Sequence, residues 1–385
     1  MNKFIFFSVL ISLSVLFAQQ KFNAKVIPTV IDPSFDCWHK SVNKDAFAIP
    51  AVKKVVPGQK FRLCVLFSNY GTKDNNADVK FWIKCTKPDG TERFSKNKLT
   101  GLSNSGTGKK QISESIESIS FNENDPTGKY KFQVLCIDYI NKKKLKRTFE
   151  IELMKWQRGN YPGSLQEYSQ WMHNYYKNPA PNQAIQAFLT HFVPVDKNKQ
   201  FSYHILHFFS TVFTKNEHLI DLALRNFSSY TTAEKIKIAT LYNAINKTDK
   251  VLALCDESER QIISKTKIPL FDPYTDISNP VQVSMLWLEF YATGTIAPIK
   301  KIVDTLKNSI HYGAKKKHEK SPKGHEQEIL KDILFQVTAW SLQQNWRMVP
   351  LVTSYSHHIL KENKNSQEIS IRTLHQMLYN KQQKK

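Results

Sequence analysis

Clustered lysines are the side chains of this chain whose chemistry points most clearly to a partner. One cluster lies at the tip of a predicted hairpin and the other in a long polar segment of the second half, with central members Lys142, Lys143, Lys144, Lys315, Lys316 and Lys317. Flexible lysines act as point charges, which suits attraction to anions rather than readout of a base sequence. A base-stacking platform requires aromatic residues interleaved with the cations, and neither cluster has them. A solvated loop is the alternative interpretation of both clusters.

The other reactive residues form no complete catalytic or metal-binding motif. Residues 101–105 (GLSNS) have Ser where a nucleophile elbow requires Gly. Residues 105–110 (SGTGKK) lack the first Gly and the metal-binding hydroxyl of a phosphate loop. His204 and His207 are one helical turn apart, but no further ligand has metal-site spacing. We therefore predict no enzyme activity, cofactor or metal; the alternative is a hydrolase-type enzyme whose site is assembled from scattered residues.

The amino terminus has the layout of a secretory signal peptide. Lys3 precedes the apolar run from Phe4 to Phe17, and the small residue Ala18 follows it. The run is shorter than the roughly 20 apolar residues of a spanning helix. We predict a signal peptide over 1–18 and an exported chain, periplasmic or extracellular, with no transmembrane segment after cleavage. An uncleaved anchor is the alternative.

Four of the five cysteines fall in the first 150 residues, and an exported chain can form disulfides. Side chains alternate between the two faces of a strand, which places Cys85 and Cys136 among inward-facing apolar residues. Cys64 has the outward parity of its strand and could meet Cys37. We therefore predict the pairs Cys85–Cys136 and Cys37–Cys64, with buried free thiols as the alternative. Cys255, beside two carboxylates, is predicted to be a packing residue.

Two domains follow from the change in hydrophobic period. Residues 24–155 alternate short β-rich runs with turn signals, which is typical of an immunoglobulin-like β-sandwich. Within them Asp125-x-x-Gly128-x-Tyr130 resembles a tyrosine corner, whereas Trp82 has the wrong parity for the buried tryptophan of antibody domains. Residues 156–163 read as a linker.

Residues 164–380 have apolar residues at helical spacing, as in the stripe of Ile329, Ile333, Val337 and Trp340. Loop signals between the stripes divide the segment into roughly ten helices in antiparallel pairs. We predict an all-α array resembling a solenoid, although no repeat of fixed period stands out. The fold class is thus all-β plus all-α in two domains.

Four segments of the helical half carry a resemblance to a known family. They are residues 175–181 (YYKNPAP), 187–189 with 208–209 (AFL and FF), 286–294 (LWLEFYATG) and 339–345 (AWSLQQN). Together they resemble an uncharacterised family of exported bacterial proteins whose helical domain carries YYxxPxP, LWxxFxATG and WSLxxN motifs. The resemblance implies structural roles, with aromatic anchors and Gly294 as a left-handed helix cap. It implies no activity and no functional residues.

The formal net charge of +22 is spread along the chain and attracts anions. The alternative is that this charge serves only to keep the protein in solution, as in many exported bacterial proteins. We predict a non-enzymatic binding or interaction protein of the bacterial envelope or extracellular space. The predicted partner is a protein or an anionic envelope component. The sequence contains no specific nucleic-acid-binding motif. The alternative is a basic protein that docks on anionic lipid, polysaccharide or nucleic acid.

Overall fold

The computed structural model describes residues 21–30, 49–103, 110–158, 163–193, 199–265, 272–308 and 322–379. The predicted signal peptide lies outside these residues, as do Cys37, Lys315, Lys316 and Lys317. The described chain consists of an all-β domain followed by an all-α domain, which confirms the predicted fold class. No helix of the described residues is long and apolar enough to cross a membrane.

Two sheets build the first domain. Its strands are β1 (Asn23–Thr29), β2 (Lys54–Val55), β3 (Phe61–Ser68), β4 (Val79–Thr86), β5 (Glu92–Leu102), β6 (Gln111–Ile112), β7 (Glu117–Ile119), β8 (Gly128–Asp138) and β9 (Lys143–Leu153). One sheet has the order β1-β3-β6, with β7 also paired to β3, and the other has the order β2-β9-β8-β4-β5. The predicted immunoglobulin-like sandwich is therefore present.

The sandwich core forms because strand residues of one parity are apolar. In β8, Tyr130, Phe132 and Val134 are buried, whereas the residues between them are at least partly exposed. The Tyr130 hydroxyl donates to the carbonyl of Pro126 over 2.8 Å, four residues upstream, which confirms the tyrosine corner. The turn before it is held by Asp125, whose carboxylate accepts two hydrogen bonds from the Arg93 guanidinium over 2.9 and 2.8 Å.

The predicted disulfide between Cys85 and Cys136 is wrong. Both thiols point inward as expected, but Cys85 lies opposite Phe132 and Cys136 lies opposite Phe81. The cysteines are thus offset by four residues, about 13 Å along the strands, beyond the reach of a disulfide. Cys64 lies on the face of β3 opposite the sandwich core, as its parity predicts, but it is buried there with Leu66 and Ile112 and is a free thiol. Its predicted partner Cys37 lies outside the described residues. Burial raises the pKa of Cys64, Cys85 and Cys136 to about 12.

Twelve α-helices occur in the described residues of the second domain. They are α1 (Leu165–Asn174), α2 (Pro181–His191), α3 (Lys199–Lys215), α4 (His218–Arg225), α5 (Thr232–Ala244), α6 (Thr248–Leu252), α7 (Glu257–Lys265), α8 (Pro280–Thr293), α9 (Ala297–Asp304), α10 (Pro322–Met348), α11 (Pro350–Glu362) and α12 (Ile369–Tyr379). Short 3₁₀ turns follow α1, α4 and α9.

Helix α8 is the centre of this array. It contacts α1, α3, α9 and α10, and its sequence is apolar on nearly every side, as a helix surrounded by others requires. Asn279 and Gln282 form a capping box at its start, and Pro280 occupies the first turn. The helix ends at Gly294 with φ +65°, so the expected left-handed cap is confirmed.

The apolar stripe of residues 329, 333, 337 and 340 on α10 is only partly turned toward the core. Ile333 is 42% exposed and Trp340 is 65% exposed, whereas Leu334, Thr338 and Leu342 are buried. Helix α10 carries apolar residues on two faces, so the spacing of its apolar residues does not show which face is buried. The buried face is the one whose polar members bond to α8.

The two domains meet around Asn182, near the start of α2. Its side-chain amide donates to Gln59 Oε1 in the sandwich over 2.9 Å, and its backbone carbonyl accepts from the Trp156 indole over 3.1 Å. The approach is close, since a Cβ added at Gly58 would lie 3.0 Å from the Cβ of His218. The end of β9 is therefore held against the helical domain.

Candidate functional site: a basic sheet face

The lysines predicted at the hairpin tip lie at the free end of the sandwich. Lys142 adopts φ +53° in the turn between β8 and β9, and Lys143 and Lys144 begin β9; all three are exposed. The eleven residues of β9 span about 36 Å from this turn to the end that meets the helical domain. The hairpin is thus remote from the domain junction.

Strand register extends this cluster onto the outer face of the five-stranded sheet. Trp82 on β4 lies opposite Leu135 on β8, which in turn lies opposite Lys146 on β9. Residues directly opposite in antiparallel strands project to the same face. The neighbouring row gives the remaining members of what we call the basic face: Lys80, Trp82, Leu135, Ile137, Lys144 and Lys146.

An apolar strip flanked by ammonium groups results. Trp82 is half-buried and Leu135 is 37% exposed, so the strip is open to solvent. Neighbouring strands lie about 4.8 Å apart, which puts the lysines of β4 and β9 on opposite sides of the Leu135 row. Such a surface can contact a planar or apolar group while attracting negative charge.

Acidic residues of the same sheet lie toward its other end. Glu150 is 3.9 Å from the Lys129 ammonium, and Glu152 is 3.4 Å from that of Lys54. Within the basic face, the Lys80 ammonium lies 3.8 Å from the exposed Asp78. The positive charge is therefore concentrated in the half of the sheet next to the hairpin.

Sequence reasoning found the hairpin lysines but not their neighbours. The outward parity of Trp82 was readable from β4 alone. The position of Trp82 among lysines was not predictable from the sequence, because it depends on the pairing of three strands that are far apart in sequence. The predicted lysines Lys315, Lys316 and Lys317 lie outside the described residues.

A second polar cluster lies between α3 and α8. The His207 Nε2 atom is 3.9 Å from a carboxylate oxygen of Glu289, whose other oxygen accepts a hydrogen bond from the Tyr274 hydroxyl over 2.7 Å. Burial, with a smaller contribution from His204, lowers the pKa of His207 to about 4, and burial raises that of Glu289. No group of three or more metal-ligating side chains is positioned for a metal in the part of the chain described.

No protein-family model matches the sequence, and no curated protein matches it. Among solved structures, an immunoglobulin-like protein from Pseudomonas aeruginosa is 14% identical, over 36% of this chain and 99% of that one, with a TM-score of 0.20. A family 123 glycoside hydrolase from Clostridium perfringens is 10% identical over 50% of this chain, with a TM-score of 0.22. This chain spans only 35% of the hydrolase. Neither likeness bears on function.

Proposed function

We propose that the chain is an exported, non-enzymatic binding protein whose sandwich binds an acidic polysaccharide through the basic face. The observation that carries the proposal is the row of Trp82, Leu135 and Lys146, with further lysines on either side of the apolar strip. The export part rests on the apolar run from Phe4 to Phe17 alone, which lies outside the described residues.

The composition of the face favours a polysaccharide over the other polyanions. A single half-buried indole offers one stacking position, whereas single-stranded nucleic acid is bound by several aromatic side chains in succession. All of its cations are lysines, which act as point charges and do not make the bidentate contacts that arginine offers to phosphate. A chain of sugars with spaced carboxylates fits both the single ring and the separated ammonium groups.

The test is binding of the full chain to polygalacturonate, with neutral dextran as the control polymer. Replacing both Lys144 and Lys146 with Gln is expected to lower the affinity about tenfold, since two ionic contacts are lost. The matched control replaces Lys129 and Lys131, which lie on the same sheet face near its acidic end. We expect that variant to stay within about twofold of the wild type.

Two results would overturn the proposal. One is polygalacturonate binding that is equally strong in both double variants. The other is binding that does not weaken between about 50 mM and about 200 mM salt, because an ionic contact must weaken there. Stronger binding of single-stranded DNA, with the same dependence on Lys144 and Lys146, would assign the face to nucleic acid instead.

The cluster around Glu289 favours a second candidate function, a hydrolase. A half-buried carboxyl group with a raised pKa beside a neutral histidine is an arrangement that acid–base catalysis uses. The test is release of reducing ends from polygalacturonate, with Glu289→Gln as the inactive control. Release by the wild type and not by that variant would favour the enzyme over the binding protein.

A further inference from the structure

A cavity of about 560 Å³ lies at the junction of the two domains. The sandwich contributes β2, the turn after it and the chain that leaves β9, while the helical domain contributes the start of α2 and the residues before it. Its volume is that of a small-molecule site, and sites between domains are common. The side chains that matter below are Lys54, Gln59, Lys155, Trp156, Gln157 and Gln186.

The electrostatics of this cavity favour an anion. The lining includes Lys54 and Lys155, and no carboxylate occurs among the described residues that line it. Helix α2 begins there with Pro181 in its first turn, and its preceding residue, Ala180, offers no side chain to cap the helix. Because the Lys54 ammonium lies 3.4 Å from the Glu152 carboxylate, the positive end of the helix dipole adds mainly to the ammonium group of Lys155.

The cavity also offers a flat apolar surface. Trp156 is half-buried in the lining, and its indole nitrogen is held by the backbone carbonyl of Asn182 over 3.1 Å. This hydrogen bond fixes the ring in one orientation. Pro179 and Pro181 line the cavity as well, so a ring-shaped ligand has apolar surfaces to pack against.

Amide groups provide most of the remaining polar atoms of the lining. The side-chain oxygen of Gln186 is buried and has no hydrogen-bond partner among the described residues, while its nitrogen donates to the Thr190 hydroxyl over 3.3 Å. A buried acceptor of this kind is normally satisfied. Gln157 adds an exposed amide, which both donates and accepts and thus matches hydroxyl groups, whereas the oxygen of the buried Gln59 already accepts from Asn182.

We propose that this cavity binds a sugar that carries a carboxylate, such as a uronic acid. The carboxylate lies between Lys155 and the start of α2, the ring packs against Trp156, and a hydroxyl bonds to the exposed amide of Gln157. The site is separate from the basic face, at the other end of the sandwich, and it accepts a single sugar rather than a polymer. It does not depend on the function proposed for the basic face.

Calorimetry on the full chain with three probes tests the ligand class. D-Glucuronic acid is expected to bind, and D-glucose and acetate, which lack the carboxylate and the ring respectively, are expected to bind about tenfold more weakly or not at all. Equal binding of glucose and glucuronic acid would overturn the ionic part of the proposal. No heat of binding with glucuronic acid up to the solubility limit would overturn the whole of it.

Two variants locate the site. Lys155→Gln removes an exposed charge, and Gln157→Ala removes an exposed amide of the lining; each is expected to lower the affinity for glucuronic acid about tenfold. The Lys144 and Lys146 double variant is the control and should bind it as the wild type does. Unchanged affinity in both cavity variants would refute the site. If that double variant loses polygalacturonate binding but keeps glucuronic acid binding, the result supports two separate sites.

Discussion

The indole nitrogen of Trp287 on α8 donates a hydrogen bond to the hydroxyl of Ser341 on α10, over 3.1 Å. One turn further along both helices, the Tyr291 hydroxyl donates to Asn345 Oδ1 over 2.7 Å. The two pairs advance in the same direction, so α8 and α10 run parallel where they touch. Residues of the LWxxFxATG and WSLxxN motifs thus hold one helix against the other.

Removing Asn345 tests the strength of this contact. Asn345→Ala leaves the Tyr291 hydroxyl, on a residue that is 8% exposed, without its acceptor, and we expect the free energy of unfolding to fall by about 1–2 kcal/mol. Tyr291→Phe removes the hydroxyl itself, so no buried donor is left without an acceptor, and this change should cost less, about 1 kcal/mol. Urea titration of the single and double variants measures both. Independent, additive effects of the two changes would contradict a direct bond.

Gly294 ends α8 in a conformation that other residues rarely adopt. With φ +65°, and with a Cβ placed 3.2 Å from that of Tyr176, Gly294→Ala combines backbone strain with a close contact. The matched control is Gly90→Ala, where φ is +87° and nothing lies within 4 Å of the added carbon. Strain alone costs about 1–2 kcal/mol, so thermal unfolding should show a larger loss for Gly294. Equal losses would mean that the contact with Tyr176 is relieved without cost.

Acid is expected to weaken the domain junction through His218. Asn182 donates to Gln59 with its amide nitrogen, so its oxygen is the acceptor for His218 Nε2, 3.4 Å away. Burial, together with the charge of Arg225, lowers the pKa of His218 from 6.5 to about 4. Between pH 4 and pH 6.5 the unfolded chain binds more protons than the folded chain, because the pKa of His218 is lowered only in the folded chain. Stability is therefore complete above about pH 6.5 and declines toward pH 4, by up to about 3 kcal/mol.

The variant His218→Gln removes this titration. Urea unfolding between pH 7 and pH 4 should show a slope of stability against pH that is smaller by up to one proton than in the wild type. His207, whose pKa is also lowered, keeps titrating in both proteins and accounts for part of the remaining slope. An unchanged slope in the variant would show that folding does not lower the pKa of His218.

Thiol chemistry follows from the register of β4 and β8. Because Cys85 and Cys136 are buried and their pKa values are about 12, both should resist thiol reagents at neutral pH in the folded protein and react after unfolding. Peptide mapping without reduction should recover them on separate peptides. A linked peptide containing both cysteines would contradict the observed register.

The strands and helices that the sequence predicted are those with a clear period. β4 and β8 alternate apolar and polar residues, and both were predictable. β5 was not, because most of its side chains are exposed and polar along an edge of the sheet. On α10 the apolar residues lie on two faces, and contacts with α8, α11 and the 3₁₀ turn after α9 decide which face is buried.

The candidate sites were less predictable than the fold because each joins residues that are distant in sequence. Parity placed Cys85 and Cys136 on the correct face of the sheet, but register, which parity does not fix, placed them apart. The same register brings Trp82 beside Lys146. The cavity at the domain junction depends on how Trp156 and Gln186 are brought together, which no local pattern encodes.

Salt dependence separates the two components of the basic face. Trp82 contributes an uncharged contact, so Trp82→Ala should weaken polygalacturonate binding several-fold at every salt concentration and leave the slope of log affinity against log salt unchanged. Lys146→Gln removes one ionic contact and should lower that slope by up to about one. Both side chains project outward from the sheet, and neither belongs to the sandwich core. A change of slope in the Trp82 variant would mean that the ring acts by positioning the lysines rather than by contacting the ligand.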